Sequence, residues 1–355
     1  MSNENTTKED KKEESCRIGA VGGQAVMEGV MMRSKSTVAV AVRQVDSKNI
    51  VTRTKPSKTI RDRIKFFKTP VLRGIVNFIE MMILSFSTLT ASTEMLGLEE
   101  EEPSKFEKWL TKRFGASLMG FITVIASIIG IALSIFLFFF LPTGSANLAD
   151  KIFGGNLGWY RNLIEGVMKI VIFVSYIALT SLIPDIKRVY MYHGAEHKSI
   201  FCYEAGAELT VENIKKQSRF HPRCGTSFMF VMIILSIAVA TMLPSWTWDA
   251  MLVRVLFRIM LLPVIVGVGY EFIMYAGKKK NIFTKILSAP GMWMQRITTK
   301  EPDDSMIEVA ITAIKAALPQ EFPDFVAPKE EIKQEKTEKA EEIKVNEETA
   351  TDENS

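Results

Sequence analysis

The sequence predicts a mainly α protein. The expected fold is a polytopic membrane helix bundle of about four transmembrane helices plus one membrane-associated helix, with a small cytoplasmic β-containing N-terminal module. Three observations carry that prediction. First, four long runs, Ala116 to Leu141, Leu163 to Ile183, Thr226 to Leu243 and Leu252 to Ala276, are apolar with few charges or none, as crossing a hydrocarbon layer of about 30 Å requires. Second, Lys and Arg are concentrated in residues 1–69, 185–225 and 277–300 and are sparse in 142–162 and 244–251. The positive-inside rule then places both termini and segment 185–225 on the cytoplasmic side of the cell membrane, with the two short links outside. Third, Thr37 to Val45 alternates, Asp46-Ser47-Lys48 can turn, and Ile50 to Thr54 can return as a hairpin.

Each element follows in chain order. Residues 1–16 are polar and charged, which predicts disorder and no signal peptide. Residues 17–69 make up the β-containing module. The Gly- and Met-rich stretch 22–33 has neither a GxGxxG nor a Walker pattern, so it gives no reason to expect a nucleotide site. The formal net charge of +4 on 355 residues says little as a sum, and no nucleic-acid partner is expected. In 70–98, Arg73, Asn77, Glu80, Ser87 and Glu94 recur at spacings of one helical face. Both flanks of this segment read as cytoplasmic, so it is expected to pack on the bundle or insert halfway. Lys105 to Phe114 is amphipathic. The bundle occupies 116–276 and includes the cytoplasmic loop 185–225. Residues 277–320 supply a membrane-surface segment around Trp293, then an amphipathic helix opened by the capping box Ser305-Met306-Ile307-Glu308 and closed by Pro319. The Glu/Lys-rich tail 327–355 is expected to be disordered.

Charges inside the apolar runs cost about 2.5–3.5 kcal/mol each, so they need partners. Glu165 and Lys169 lie near the outer end of one run, Arg254 and Arg258 near the outer end of another. Glu165 is expected to meet Arg254 or Arg258. Glu271, near an inner end, is expected to meet Arg73 or Lys187.

The chemistry concentrates elsewhere. The chain has three histidines and three cysteines. All of the histidines and two of the cysteines fall between His193 and Cys224, between two apolar runs. Pro184 breaks a span and a helix to about Ala205 follows, so His193 and His197, four apart, share a face and can reach one ion. Glu196 sits beside that face, which suits a base acting on a metal-activated water. Thr210 can cap a second helix over 211–219. The turn His221-Pro222-Arg223-Cys224-Gly225 can aim His221 and Cys224 back at the first helix. The candidate metal ligands are therefore His193, His197, His221 and Cys224. Nitrogen plus thiolate favours zinc, with iron as the alternative. Possible site-lining residues are Glu28, Arg33, Arg73, Glu80, Cys202 and Glu204, the last needing a bend near Gly206 to help.

Three readings stay open. Three protein ligands would leave a position for water, with Glu196 as general base of a metal-dependent hydrolase. Four ligands would close a structural site in a non-enzymatic scaffold or assembly factor. Without metal, the residues would serve as polar packing. A transporter is a further possibility for the polar groups within the spans. Beyond the bilayer, the partner is an unknown substrate or protein. His193 to His197 resembles the inverted zinc-peptidase motif HxxEH over five residues only, and no downstream acidic ligand is evident unless Glu271 folds in.

Three stretches taken together are more specific. GGQAVMEGVMMR (22–33), YHGAEHKSIFCYEAGAELT (192–210) with HPRCGTSF (221–228), and QRITTKEPDD (295–304) resemble the YqhQ-like family of bacterial and plastid membrane proteins. That family is a domain of unknown function predicted to comprise metal-dependent enzymes. The likeness runs from about Ile18 to Leu318. It implies a membrane protein with a metal site, with His193, Glu196, His197, His221 and Cys224 on the motif positions, and it implies no substrate.

Overall fold

The computed structural model describes residues 17–60, 64–97, 117–155, 157–242, 251–278 and 282–329. The segments expected to be disordered at 1–16 and beyond Lys329, the amphipathic stretch 105–114 and residues 244–250 of the outer link lie outside the described residues.

Strands β1 (Gly22–Val26), β2 (Gly29–Arg33), β3 (Thr37–Arg43) and β4 (Ile50–Pro56) form one antiparallel meander in sequence order. The expected hairpin is β3–β4, with Val42 opposite Val51. The Gly/Met-rich stretch makes a second hairpin, β1–β2, closed by Met27 and Glu28 with Val26 opposite Gly29. Glu28 adopts φ 47, the left-handed turn conformation. Both faces of the sheet are covered. Val30, Met32, Ala39 and Ala41 face one core, and Val26, Met31, Val38, Val40 and Val42 face the other. Burial on both sides explains why 29–33 reads as continuous apolar sequence rather than as alternation.

Helix α1 (Leu72–Met95) closes the second face with Leu84, Met95 and Leu96. It anchors there through ion pairing of Arg53 with Glu94 at 2.7 Å and a hydrogen bond from Lys55 to Ser87 at 3.0 Å. Chain order continues with α2 (Ser117–Ile135), a π-helical turn at Phe136–Phe140 and α3 (Leu141–Ile152). These run as one rod, so residues 142–152, read as an outer link, extend the helix. Next come α4 (Tyr160–Thr180), α5 (Pro184–Glu204), α6 (Val211–Lys215), α7 (Gly225–Met242), α8 (Met251–Lys278), α9 (Ile282–Thr298) and α10 (Asp304–Ala317).

α10 and α5 cover the first sheet face with Ile307, Ala310, Ile314, Tyr192, Ala195 and Ile200, all buried. The expected capping box is displaced by two residues. Asp303 is the N-cap, accepting from Met306 N at 2.9 Å and Ser305 Oγ at 2.6 Å, while Glu308 is drawn off to Arg43 at 2.8 Å. A carboxylate beside the first turn satisfies the orphan amide as well as a serine would.

Four helical stretches are long and apolar enough to cross a membrane: Leu72–Met95, Val124–Ile152, Tyr160–Thr180 and Leu252–Phe272. This set differs from the expected one. By length and composition α1 qualifies, and the apolar part of α7, Phe228–Met242, is shorter. Glycines allow close crossings in the bundle. A side chain at Gly74 would collide with Tyr270 Cβ at 2.7 Å and Gly267 O at 2.9 Å, so α1 lies directly on α8.

The charges within the helices converge as expected. Glu165, 2% exposed, meets Arg258 directly, Arg254 at 3.5 Å and Lys169 at 3.5 Å, and it accepts a hydrogen bond from Thr143 at 3.2 Å. One carboxylate is therefore shared by three buried cations, and Arg73 pairs bidentately with Glu271. Glu165→Ala should destabilise the purified protein more than Arg258→Ala does, by about 3–5 kcal/mol for the glutamate. Denaturation curves in detergent test this; equal losses would refute the shared-carboxylate account.

Candidate metal centre

The site grows from α5. Pro184 starts the helix and Asp185 occupies its first turn, both favourable at an N-terminus. His193 and His197 project together, their ring centroids 4.4 Å apart. Between them, Gly194 has no room for a side chain, because a Cβ would strike the carbonyl of Lys300. Lys300 N donates to Tyr190 O at 2.8 Å, so the segment after α9 is stitched onto α5 at this point.

That contact fixes the first imidazole. His193 Nδ1 bonds the carbonyl of Thr298 at 2.9 Å. His197 Nδ1 bonds the carbonyl of Arg219, in the loop before α7, at 2.6 Å. A carbonyl only accepts, so both Nδ1 atoms carry the proton and both Nε2 lone pairs are free to ligate. Cys224, immediately before α7, brings Sγ to 3.3 Å from His193 Nε2. The ligand atoms of His193, His197 and Cys224 all lie within 4.8 Å of one another.

His221 stands outside this group. Its ring is 5.5 Å from that of His197. Its Nδ1 accepts from Arg223 N at 3.3 Å, and its Nε2 faces Glu204 Oε2 at 3.7 Å. Both nitrogens are thus engaged. Burial holds the His221 imidazole below its ordinary pKa, outweighing the opposing pull of Glu204. Its backbone is clamped by Gln295, fully buried, which accepts from His221 N at 2.7 Å and donates to His221 O at 2.8 Å. Glu204 ends α5 and gathers Gly19 N at 2.9 Å, Arg223 and His221. Burial would raise its carboxyl; the bonds from His221, Gly19 and Arg223 prevail and hold it below the usual range.

Glu196 points from α5 toward β1. It is 5% exposed, and burial pushes its carboxyl up to about 7, against the pull of His193 and a bond from the Ala25 amide. Its Oε2 is buried without a hydrogen-bond partner. Gly23 makes the space: a Cβ there would lie 2.7 Å from Glu196 Cγ. His193, His197, Cys224 and Glu196 line one cavity of about 1970 Å³ between the cap, made of the sheet with α5 and α10, and helices α1, α7 and α8.

The other sequence candidates fall in distinct places. Arg33 and Arg73 also line the cavity. Glu28 accepts from Arg188 at 2.5 and 2.6 Å and from Tyr192 at 3.3 Å, tying the β1–β2 turn to α5. Glu80 accepts from Ile60 N at 2.5 Å. Cys202 is in the core, its thiol toward Glu208 O at 3.4 Å and its pKa raised by burial. Sequence reasoning did not single out Gly23, Gln295 or the carbonyls of Thr298 and Arg219. Gln295 falls within the third motif block, but a carbonyl acceptor leaves no mark on side-chain identity.

Fold and site define a class: a mainly helical protein with four helices able to cross a membrane, a small antiparallel sheet and a His₂Cys group able to hold a metal. The chain belongs to the family described as Protein of unknown function (DUF1385), whose model matches residues 69–320. It is 37% identical over 304 residues to the Uncharacterized protein YqhQ of Bacillus subtilis (strain 168), covering 84% of this chain and 92% of that one. No solved structure matches it.

Replacing Gln295 with Leu should leave the His221 amide and carbonyl buried and unsatisfied, at about 1–3 kcal/mol each. The expected result is accelerated proteolysis within 217–225 while the sheet stays protected. Unchanged cleavage there would show that the clamp is dispensable.

Proposed function

We propose that this is a multi-pass protein of the cytoplasmic membrane, both termini inside, carrying a zinc-dependent hydrolase site at the inner membrane face. The observation that carries the reading is the pairing, in one cavity, of a preoriented His₂Cys donor set with a buried carboxylate that keeps one oxygen unpartnered. Two imidazole nitrogens and a sulfur suit zinc, with iron as the alternative. Bound there, the ion would act as a Lewis acid and bring the pKa of a coordinated water to about 7.

The residues of the chain supply the rest. The Thr298 and Arg219 carbonyls hold the tautomers and ring orientations of His193 and His197. Glu196 takes the proton of the attacking water and returns it to the leaving group. Its unpartnered oxygen is buried, and the residue lines the same cavity as the donor set, which suits that role. A non-enzymatic scaffold with a structural zinc requires a fourth protein ligand, and His221, with both nitrogens engaged, does not favour it. Arrangement of the cap supports the topology. α1 rests its C-terminal half on the sheet while Ile79, Ile83 and Phe86 are exposed along its other side, as suits a helix lying in the membrane surface rather than crossing it.

Metal analysis under reducing conditions should find one zinc per chain, lost in His193→Ala, His197→Ala and Cys224→Ala and retained in His221→Ala. Glu196→Gln should keep the metal and lose about 10²–10⁴-fold in turnover on a panel of ester substrates. A metal-free wild-type protein, or full turnover in Glu196→Gln, would falsify the hydrolase reading. Impermeant maleimide added to intact cells should leave Cys224 unmodified; labelling would invert the topology.

A further inference from the structure

The cavity is larger than its candidate chemistry requires. Ordinary small-molecule pockets run to about 1,000 Å³, and this one holds about 1970 Å³. Its walls differ by origin. The cap supplies backbone and polar groups around Gly22–Ala25, Arg33, Ser34 and Ser57, together with His193 and Glu196. The bundle supplies Phe228, Met229 and Val231 from α7 and Phe272 from α8. α1 runs along the length of the cavity. Arg73, Asn77, Met81 and Ser85 line it at intervals of four residues, a single stripe of roughly 18 Å at 1.5 Å per residue.

Two further features identify the occupant. The mouth is apolar and lateral: the lining residues Phe78, Met82, Met229 and Ile282 are 39%, 44%, 46% and 73% exposed. They belong to the helices that the topology puts against the inner leaflet, so the opening faces lipid. The lining is also cationic. Among the described residues Glu196 is its one carboxylate, against Arg33, Lys35, Lys68, Arg73 and Arg223. Arg73 is matched by Glu271 and Arg223 by Glu204, whereas Arg33 bonds only Ser57 and Met81 among the described residues. A neutral or cationic head group would leave that excess uncompensated.

We infer that the cavity binds an anionic amphiphile drawn sideways from the inner leaflet, its chain against α1 and α7 and its charged head beside Arg33, within reach of Glu196 and the His₂Cys group. The inference rests on the hydrolase reading only for the fate of the bound molecule; binding needs neither zinc nor turnover.

The test uses the full chain in phosphatidylcholine nanodiscs and dodecyl phosphate carrying a chain-terminal diazirine, with crosslinked peptides mapped by mass spectrometry. Labelling should concentrate at 78–85 and 228–231 and be displaced by unlabelled dodecyl phosphate, but not by inorganic phosphate or by uncharged dodecyl maltoside. Arg33→Gln should cut labelling roughly tenfold, the value of one charge-assisted hydrogen bond, and Arg33→Lys should restore most of it. Met229→Trp should block the chain end of the slot. Glu196→Gln, which removes a carboxylate from the lining, should label at least as strongly as wild type while losing hydrolysis, so that loss of hydrolysis and loss of binding are told apart. Labelling spread evenly over the outward residues of Val124–Ile152, or displacement by inorganic phosphate alone, would overturn the proposal.

Discussion

The close approach of α5 to the segment after α9 is the constraint on which the site depends. Gly194 permits it, because a Cβ there would meet the Lys300 carbonyl. With that contact made, the Thr298 carbonyl reaches His193 Nδ1, and Gln295, almost one turn earlier on α9, reaches the His221 backbone. One helix end thereby orients an imidazole and also holds the turn that delivers Cys224. The two arms of the donor set, far apart along the chain, are brought into register by a third element that contributes no ligand.

Glu196 depends on the same geometry from the other side. α5 packs on the sheet through Tyr192, Ala195 and Ile200, which turns the intervening Glu196 into the groove beside β1. Gly23 leaves it room and Ala25 gives it one hydrogen bond. A carboxylate in the core would ordinarily be fully matched; this one keeps a buried oxygen without a partner. Glu80 and Glu165 also leave an oxygen unpartnered; what sets Glu196 apart is that it lines the cavity that holds the donor set.

Much of the architecture was legible in the sequence because it follows from periodicity. The apolar runs, the helix from Pro184, the Thr210 cap, which accepts from Asn213 at 3.3 Å, and the β3–β4 hairpin each have a local signature. So did the pairing of Glu165 with arginines, since a charge in an apolar run needs a partner nearby. The β1–β2 hairpin did not, because a strand buried on both faces loses its alternation. The spacing of His193 and His197 announced a shared face, and Cys224 joined them as the turn chemistry suggested. His221 was read as a fourth ligand because sequence lists donors and not their neighbours; Arg223 and Glu204 occupy its nitrogens. The cavity itself lay beyond reach, since it is built from non-contiguous segments spread between Gly19 and Met292.

The cap also unites the two ends of the chain. β1 to β4 come from its beginning, α10 from its end, and Thr52 on β4 is held by Pro328 through both N and Oγ1 at 2.7 and 2.6 Å. All the bundle helices lie between them in sequence. During synthesis the sheet therefore emerges first, and the face that bears Val30, Met32, Ala39 and Ala41, shared by α5 and α10, is fully covered only when α10 has left the ribosome. The helix that bears His193 and His197 shares its core with α10, so that core is complete only after the final helix has docked. The Thr298 and Arg219 carbonyls and Gln295 all precede residue 304, so a chain truncated there would keep the groups that orient the histidines and lose the helix that closes the sheet behind them.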